Sequence, residues 1–264
     1  MLPTIEIGSL RLNTYWLLQS LAIVIAGALA YRRLLRGGIT SRAALTGLLL
    51  IFWGGLAGSV LLKSLGAALR DLALTGDFAL QLDAGSAFLG ALIGGVVVGW
   101  LWFRGVGIST GRAFDLWVVP APMGQAIGRL GCLAAACCHG KPTDSWLGLH
   151  LPDHDGFWAA RYPTQLLSAA ANLLIFMILL RLERALARRP SVYFPGALTV
   201  AYLLLYATKR FAIEFLRADT TLRLGGALTM THVLYAILFL VALVVLVYRV
   251  YRTNVPGALQ TPGA

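Results

Sequence analysis

The sequence predicts an all-α polytopic membrane protein of seven transmembrane helices, with its N-terminus outside and its C-terminus cytoplasmic. Three observations predict this. Of 264 residues, 58% are hydrophobic and only 12% are charged, about half the charged fraction of a soluble domain. The apolar residues fall in blocks of about 20, long enough to cross a hydrocarbon core of about 30 Å. Arginines gather in alternate inter-block segments, the arrangement that fixes membrane orientation. The net charge of +11 is therefore an orientation signal, and no nucleic-acid partner is expected.

Apolar runs place helices at 14–31, 43–65, 85–103, 114–138, 164–182, 195–215 and 230–248. The residues before the first, MLPTIEIGSL, lack the basic region of a cleavable signal peptide, so this block is expected to stay as a helix. The second carries Gly54 and Gly58, and the third Gly90, Gly94, Gly95 and Gly99. Small residues at four-residue spacing let helix backbones approach closely. The fourth is interrupted by Asp115, read as a cap at its start, and by Arg129. The fifth opens on Tyr162-Pro163-Thr164-Gln165, with proline in the first turn. The sixth holds Lys209, Arg210 and Glu214 near its end, and the seventh runs up to Arg249. The final TNVPGALQTPGA reads as disordered, which leaves one seven-helix domain over 1–252 and a tail over 253–264.

An odd number of spans puts the termini on opposite sides. With the N-terminus outside, segments 32–42, 104–112, 181–189 and the tail from Arg249 face the cytoplasm. They hold twelve arginines against one acid, Glu183. The outer segments hold six basic residues, outnumbered by acids. The longest outer loop, 140–163, carries Asp144, His150, Asp153, His154 and Asp155.

A charge at the centre of a membrane helix costs about 2.5–3.5 kcal/mol, so each one requires a reason. Arg129 lies late in the fourth block and Arg210 late in the sixth, with Glu214 one turn further on the same face. Both blocks run outward in this topology, which brings these charges to the outer half of the bilayer. Arg129 has no acid three or four positions away, and Gly124, Gly128 and Gly131 surround it. Such glycines admit a close backbone or a ligand. Guanidinium pairs with phosphate in a two-pronged geometry, so an anionic phospholipid headgroup is the expected guest. The plainer alternative has Arg210 and Glu214 stapling the helix end while Arg129 snorkels toward the surface. Cys132, Cys137 and Cys138, followed by His139, match no standard pair of zinc-ligand units. They are read as packing residues, with one reactive thiol as the alternative, and no metal or cofactor is expected.

Four segments, GRLGCLAAACCHG, RYPTQLLSA, YATKRFAIEFLR and FLGALIGG, together resemble those of the bacterial prolipoprotein diacylglyceryl transferases. GRLGCLAAACCHG, from Gly128 to Gly140, resembles the signature GRxGNFxNGExxG. RYPTQLLSA, from Arg161 to Ala169, resembles HPSQLYEA; YATKRFAIEFLR, from Tyr206 to Arg217, resembles YGLFRFxVEFFR; and FLGALIGG, from Phe88 to Gly95, resembles FHGGLIG. The resemblance implies transfer of the diacylglyceryl group of phosphatidylglycerol to the lipobox cysteine of a secreted preprolipoprotein, in the bacterial plasma membrane. It places Arg129 on the phosphatidylglycerol-binding arginine, with Gly128, Gly131, Cys132, Cys137 and Gln165 beside the substrate. Tyr206, Arg210 and Glu214 fall on the tyrosine, arginine and glutamate of the later helix, and His139, or Cys137 as thiolate, is the candidate replacement base. The departures are specific. Leu89 stands for the third-helix histidine, Cys132 and Ala135 for the asparagines, Cys137 for the glutamate, and Tyr162 and Ser168 for the histidine and glutamate of HPSQLYEA. They leave open an acceptor other than a lipobox cysteine, or a lipid-binding membrane protein without turnover.

Overall fold

Backbone amides and carbonyls find no water in hydrocarbon, so a spanning segment must satisfy them within itself as a helix. The computed structural model describes residues 4–7, 10–76, 88–153, 155–218, 223–225 and 228–254. The helices are α1 (Thr14–Arg36), α2 (Ser41–Thr75), α3 (Phe88–Gly105), α4 (Thr110–Val118), α5 (Ala121–Ala134), α6 (Thr164–Arg188), α7 (Ala197–Glu214) and α8 (Met230–Asn254). Four stretches, at 14–36, 41–69, 164–188 and 230–252, are long and apolar enough to cross a membrane. Large apolar side chains such as Trp53, Leu240 and Val244 stand exposed along them. That is the surface a lipid-facing helix presents, and the molecule is a membrane protein.

The fourth apolar block, expected as one helix over 114–138, is two. Pro120 and Pro122 cause the break. Proline lacks an amide donor and clashes with the preceding turn, and it disfavours helical geometry in the residue before it. Asp115 consequently lies inside α4 and buried, rather than capping a helix start. The expected disordered tail is corrected at its first two residues, Thr253 and Asn254, which complete α8; positions from 255 on, and His154, lie outside the described residues.

The all-α reading is also amended in the loops, where three short antiparallel hairpins form. They are β1 (Thr4–Ile7) with β2 (Leu10–Asn13), β3 (Leu149–Pro152) with β4 (Trp158–Arg161), and β5 (Arg223–Gly225) with β6 (Leu228–Thr229). The β3–β4 hairpin is locked by a half-buried ion pair, Arg161 Nη2 to Asp153 Oδ2 at 2.7 Å. Asp153 Oδ1 also accepts from the Phe157 and Asp155 amides. The Phe157 amide, then Arg161, hold the Asp153 carboxyl below its usual range.

The chain forms two compact units, residues 31–116 and residues 1–30 with 117–264. In the first, α2 packs on α3 through facing glycines. A Cβ on Gly58 would run into the Gly90 carbonyl oxygen and come within 2.9 Å of Gly94 Cα, and one on Gly54 would lie 2.6 Å from Val98. The expected close contact at these four-residue spacings is therefore present. Trp102 adds an Nε1 hydrogen bond to the Ala43 carbonyl at 3.0 Å. In the second, Ile175 and Leu179 of α6, Leu198, Tyr202 and Tyr206 of α7 and Tyr235 of α8 form one core cluster with Val118 and Val119.

Gly58→Leu is expected to cost about 1–3 kcal/mol through overpacking and to lower the melting temperature in detergent. Gly66→Leu on the same helix, where a Cβ meets nothing within 4 Å, should leave it nearly unchanged. Equal melting temperatures for the two variants would contradict the glycine-mediated contact.

Candidate functional site

One face of α7 carries the chemistry. Tyr202, Tyr206, Lys209, Arg210, Ile213 and Glu214 are all buried, at the three- and four-residue intervals that share a helix face. Arg210 Nη2 lies 3.4 Å from Glu214 Oε2, and Arg217 Nη1 lies 3.9 Å from the same oxygen. The Arg210 guanidinium stacks over Tyr235 at 5.2 Å. Its Nε and Nη1 are buried without a hydrogen-bond partner among the described residues. An unpaired buried donor costs about 1–3 kcal/mol, and the pairing with Glu214 leaves these two Arg210 donors unspent.

Lys209 lies beside Arg210 on the same buried face. Its Nζ donates to Asn172 Oδ1 of α6 at 2.8 Å and sits over the Tyr206 ring at 4.3 Å. Tyr206 in turn stacks on Tyr202 and meets Tyr235 edge-on. Arg129 of α5 is close enough to interact electrostatically with Lys209, Arg217, Tyr206, Cys132 and Cys138. Neither Arg129 nor Lys209 has a carboxylate partner among the described residues. Four basic side chains from two helices and the turn after α7 thus gather, and among the described residues Glu214 pairs with Arg210 and Arg217.

Beside the cations, α5 is pressed against α1. A Cβ on Gly124 would lie 2.8 Å from Ala26 Cβ, and one on Gly128 would lie 3.0 Å from Gln19 Oε1. Gly131 faces Leu18 and Tyr15. The space these glycines leave is filled by the α1 backbone and side chains. Gln125 ties α5 to α7, its Nε2 donating to Tyr202 Oη at 2.6 Å.

The loop after α5 turns sharply. Ala136 (φ 54°) and Cys138 (φ 58°) both take left-handed conformations, which cost about 1–2 kcal/mol in a non-glycine residue. The loop is held from below, where Gln165 Nε2 donates to the Cys137 carbonyl at 2.9 Å and Thr164 Oγ1 to the Cys138 carbonyl at 2.7 Å. It is also stitched to the end of α7, through Lys141 N to the Leu216 carbonyl and Ala218 N to the His139 carbonyl. The sulfurs of Cys132, Cys137 and Cys138 come within 4.8 Å of one another. His139 is half-buried at the same loop, its Nδ1 3.4 Å from the Gly140 carbonyl.

This arrangement, with a cationic α7 face opposite an arginine in a glycine-rich helix, coincides with a family match over residues 3–248, nearly the whole chain, to the model described as prolipoprotein diacylglyceryl transferase. The chain belongs to the prolipoprotein diacylglyceryl transferase family. It is 30% identical to the phosphatidylglycerol–prolipoprotein diacylglyceryl transferase of Dehalococcoides mccartyi over 248 residues, covering 92% of each chain. It is likewise 30% identical to the transferase of that name from Pseudomonas syringae pv. syringae over 263 residues, covering 95% of this chain and 93% of the other.

Of the residues singled out from sequence, Arg129, Tyr206, Arg210 and Glu214 come together at one locus. Cys132, Cys137 and His139 lie at its edge, Gln165 lies beneath the loop, and Gly128 and Gly131 face α1. The Leu89 side chain lies outside the described residues. Lys209, Gln125, Asn172, Tyr202 and Tyr235 were not anticipated as site residues. A signal existed for two of them: Lys209 stands where the family stretch YGLFRFxVEFFR has phenylalanine, and Gln125 lies one helical turn before Arg129.

Ala136 occupies the glycine position of the family signature GRxGNFxNGExxG and carries the strained φ. Ala136→Gly should therefore raise stability by about 1 kcal/mol, the left-handed penalty less the backbone entropy of glycine. A thermal melt in detergent reads this, and an unchanged or lower midpoint would speak against strain at that residue.

Proposed function

We propose that this protein is a phosphatidylglycerol–prolipoprotein diacylglyceryl transferase, with Arg129 and Arg210 as its phosphate-binding pair. The observation that carries the reading is the buried Arg210 guanidinium, whose Nε and Nη1 lack hydrogen-bond partners among the described residues. The family match and the relatives' names support the same donor and acceptor.

In this reading Arg129 and Arg210 grip the phosphate diester of phosphatidylglycerol, and Lys209 supplies a further hydrogen-bond donor on the same helix face. The thiol sulfur of the lipobox cysteine attacks the diacylglycerol carbon attached to the phosphate oxygen. A carbon–sulfur bond forms, the carbon–oxygen bond breaks, and glycerol phosphate leaves with the bonding pair. The guanidinium groups are fixed where that charge develops, which lowers the barrier. The thiol must lose its proton, since a free thiol with pKa near 8.5 is mostly protonated at neutral pH; His139 is the proposed base. Glu214 orients Arg210 and Arg217, Tyr206 supports Lys209, and Gln165 holds the Cys137 carbonyl so that the loop keeps its shape. Gly128 and Gly131 bring α1 against the site, and Cys132 and Cys137 line its edge. The seven-pass arrangement in the bacterial plasma membrane, N-terminus outside and C-terminus cytoplasmic, rests on the arginine asymmetry of the loops and puts the site at the outer leaflet, where a secreted acceptor arrives.

A second reading keeps the donor lipid and changes the acceptor; the replacement of the signature asparagine and glutamate by Cys132 and Cys137 favours it. Incubating the purified protein with vesicles containing labelled phosphatidylglycerol and a lipobox peptide separates the two. A thioether-linked diacylglyceryl peptide is expected, and Arg129→Gln and Arg210→Gln should each slow its formation by about 100- to 1,000-fold. Release of glycerol phosphate without peptide modification would favour the second reading, and product independent of both arginines would refute the site.

The orientation is tested by fusions. A fluorescent protein after Asn254 should fold and fluoresce in the cytoplasm, and alkaline phosphatase inserted in the 140–163 loop should be active outside. The reverse pattern would overturn the topology.

A further inference from the structure

Three thiols at the bend after α5 form a cluster that the transfer chemistry does not require. Cys132 is on the last turns of α5, and the left-handed residues Ala136 and Cys138 fold the loop back over it. The Cys137 amide donates to the Cys132 carbonyl at 3.1 Å, closing the turn. Gln165 and Thr164 take up the Cys137 and Cys138 carbonyls, so the backbone oxygens point to α6 and the three sulfurs converge. All three cysteines are free and half-buried, and their sulfurs lie within 4.8 Å of one another.

We infer that Cys132, Cys137 and Cys138 form a three-coordinate thiolate site for a soft d10 cation, Cu(I) or Zn(II). Soft thiolate ligands select these ions. Three sulfurs about 2.3 Å from one metal in a trigonal plane lie about 4.0 Å apart, so the cluster needs no more than side-chain adjustment to close on an ion. No histidine or carboxylate among the described residues joins the three sulfurs as a fourth ligand, which leaves a position open on the metal. A trithiolate carries more negative charge than either ion cancels, and Arg129 and Arg217 stand close enough to Cys138 to offset the excess. The sequence spacing argues against a metal here, because it matches no standard pair of ligand units and hides the proximity that the two left-handed residues create. The inference rests on the sulfur geometry and holds whether or not the chain transfers a diacylglyceryl group.

The test uses the reduced full-length protein in detergent. Zn(II) is titrated against a chromophoric chelator, and Cu(I) is titrated anaerobically against a Cu(I)-specific chelator. One equivalent of one ion should be withdrawn from its chelator, and the arm that responds identifies the metal. Cys132→Ser, Cys137→Ser and Cys138→Ser should each weaken that binding by about 100-fold or more, as loss of one ligand in three demands. X-ray absorption of the loaded wild-type protein needs no variant and should show three sulfur neighbours at about 2.3 Å. Failure of the wild type to compete for either ion, serine variants that bind equally well, or a spectrum dominated by nitrogen and oxygen would each overturn the inference.

Discussion

Burying several like charges in one small volume of a membrane protein is the constraint from which the rest of this structure follows. Arg129, Arg210 and Arg217 meet around Lys209, and among the described residues Glu214 pairs with Arg210 and Arg217. Their mutual repulsion and lost hydration oppose folding. The surroundings answer this with many weak partners instead of matching acids. Tyr206 and Tyr235 offer ring faces to Lys209 and Arg210, an attraction that grows when water is excluded. Asn172 supplies an oxygen to Lys209, and the tyrosine stack below links α7 to α8. These neutral contacts hold the cations in place without cancelling them, which leaves a site that favours an anion.

Much of this was legible in the sequence, and for a physical reason. Hydrophobic blocks of membrane-spanning length, arginine-rich loops and intramembrane charges are first-order costs, and the chain cannot conceal them. Arg129, Arg210 and Glu214 were recoverable because each violates the lipid rule. The glycines at 54, 58, 90 and 94 were recoverable because their spacing equals a helical turn. Less legible were features set by local backbone chemistry. Pro120 and Pro122 stand in plain view, yet the apolar run across them masked the break between α4 and α5. The β3–β4 hairpin depends on Asp153 and Arg161, eight residues apart, finding each other across the hairpin. Nothing in its composition distinguishes it from an ordinary polar loop.

The polar partners were harder still. Asn172 and Gln125 are unremarkable in an apolar run until α6 and α5 are packed against α7. The three cysteines are spaced as packing residues would be, and only the left-handed backbone at Ala136 and Cys138 gathers them. Gly128 and Gly131 were expected to open room for another group; the group that takes the room is α1 itself, which makes the first helix a wall of the site. In each case the missing information was tertiary.

The backbone pairing of residues 139–141 with 216–218 makes the signature bend and the tip of α7 a single mechanical cassette. Lys141 N and Ala218 N each find their acceptor on the opposite segment, at Leu216 and His139, so neither segment can slide without dragging its partner. Substitutions accumulating in one segment are thereby filtered by the geometry of the other. A chimera assembled from a distant relative would have to import both stretches together, because half a clasp has nothing to close on.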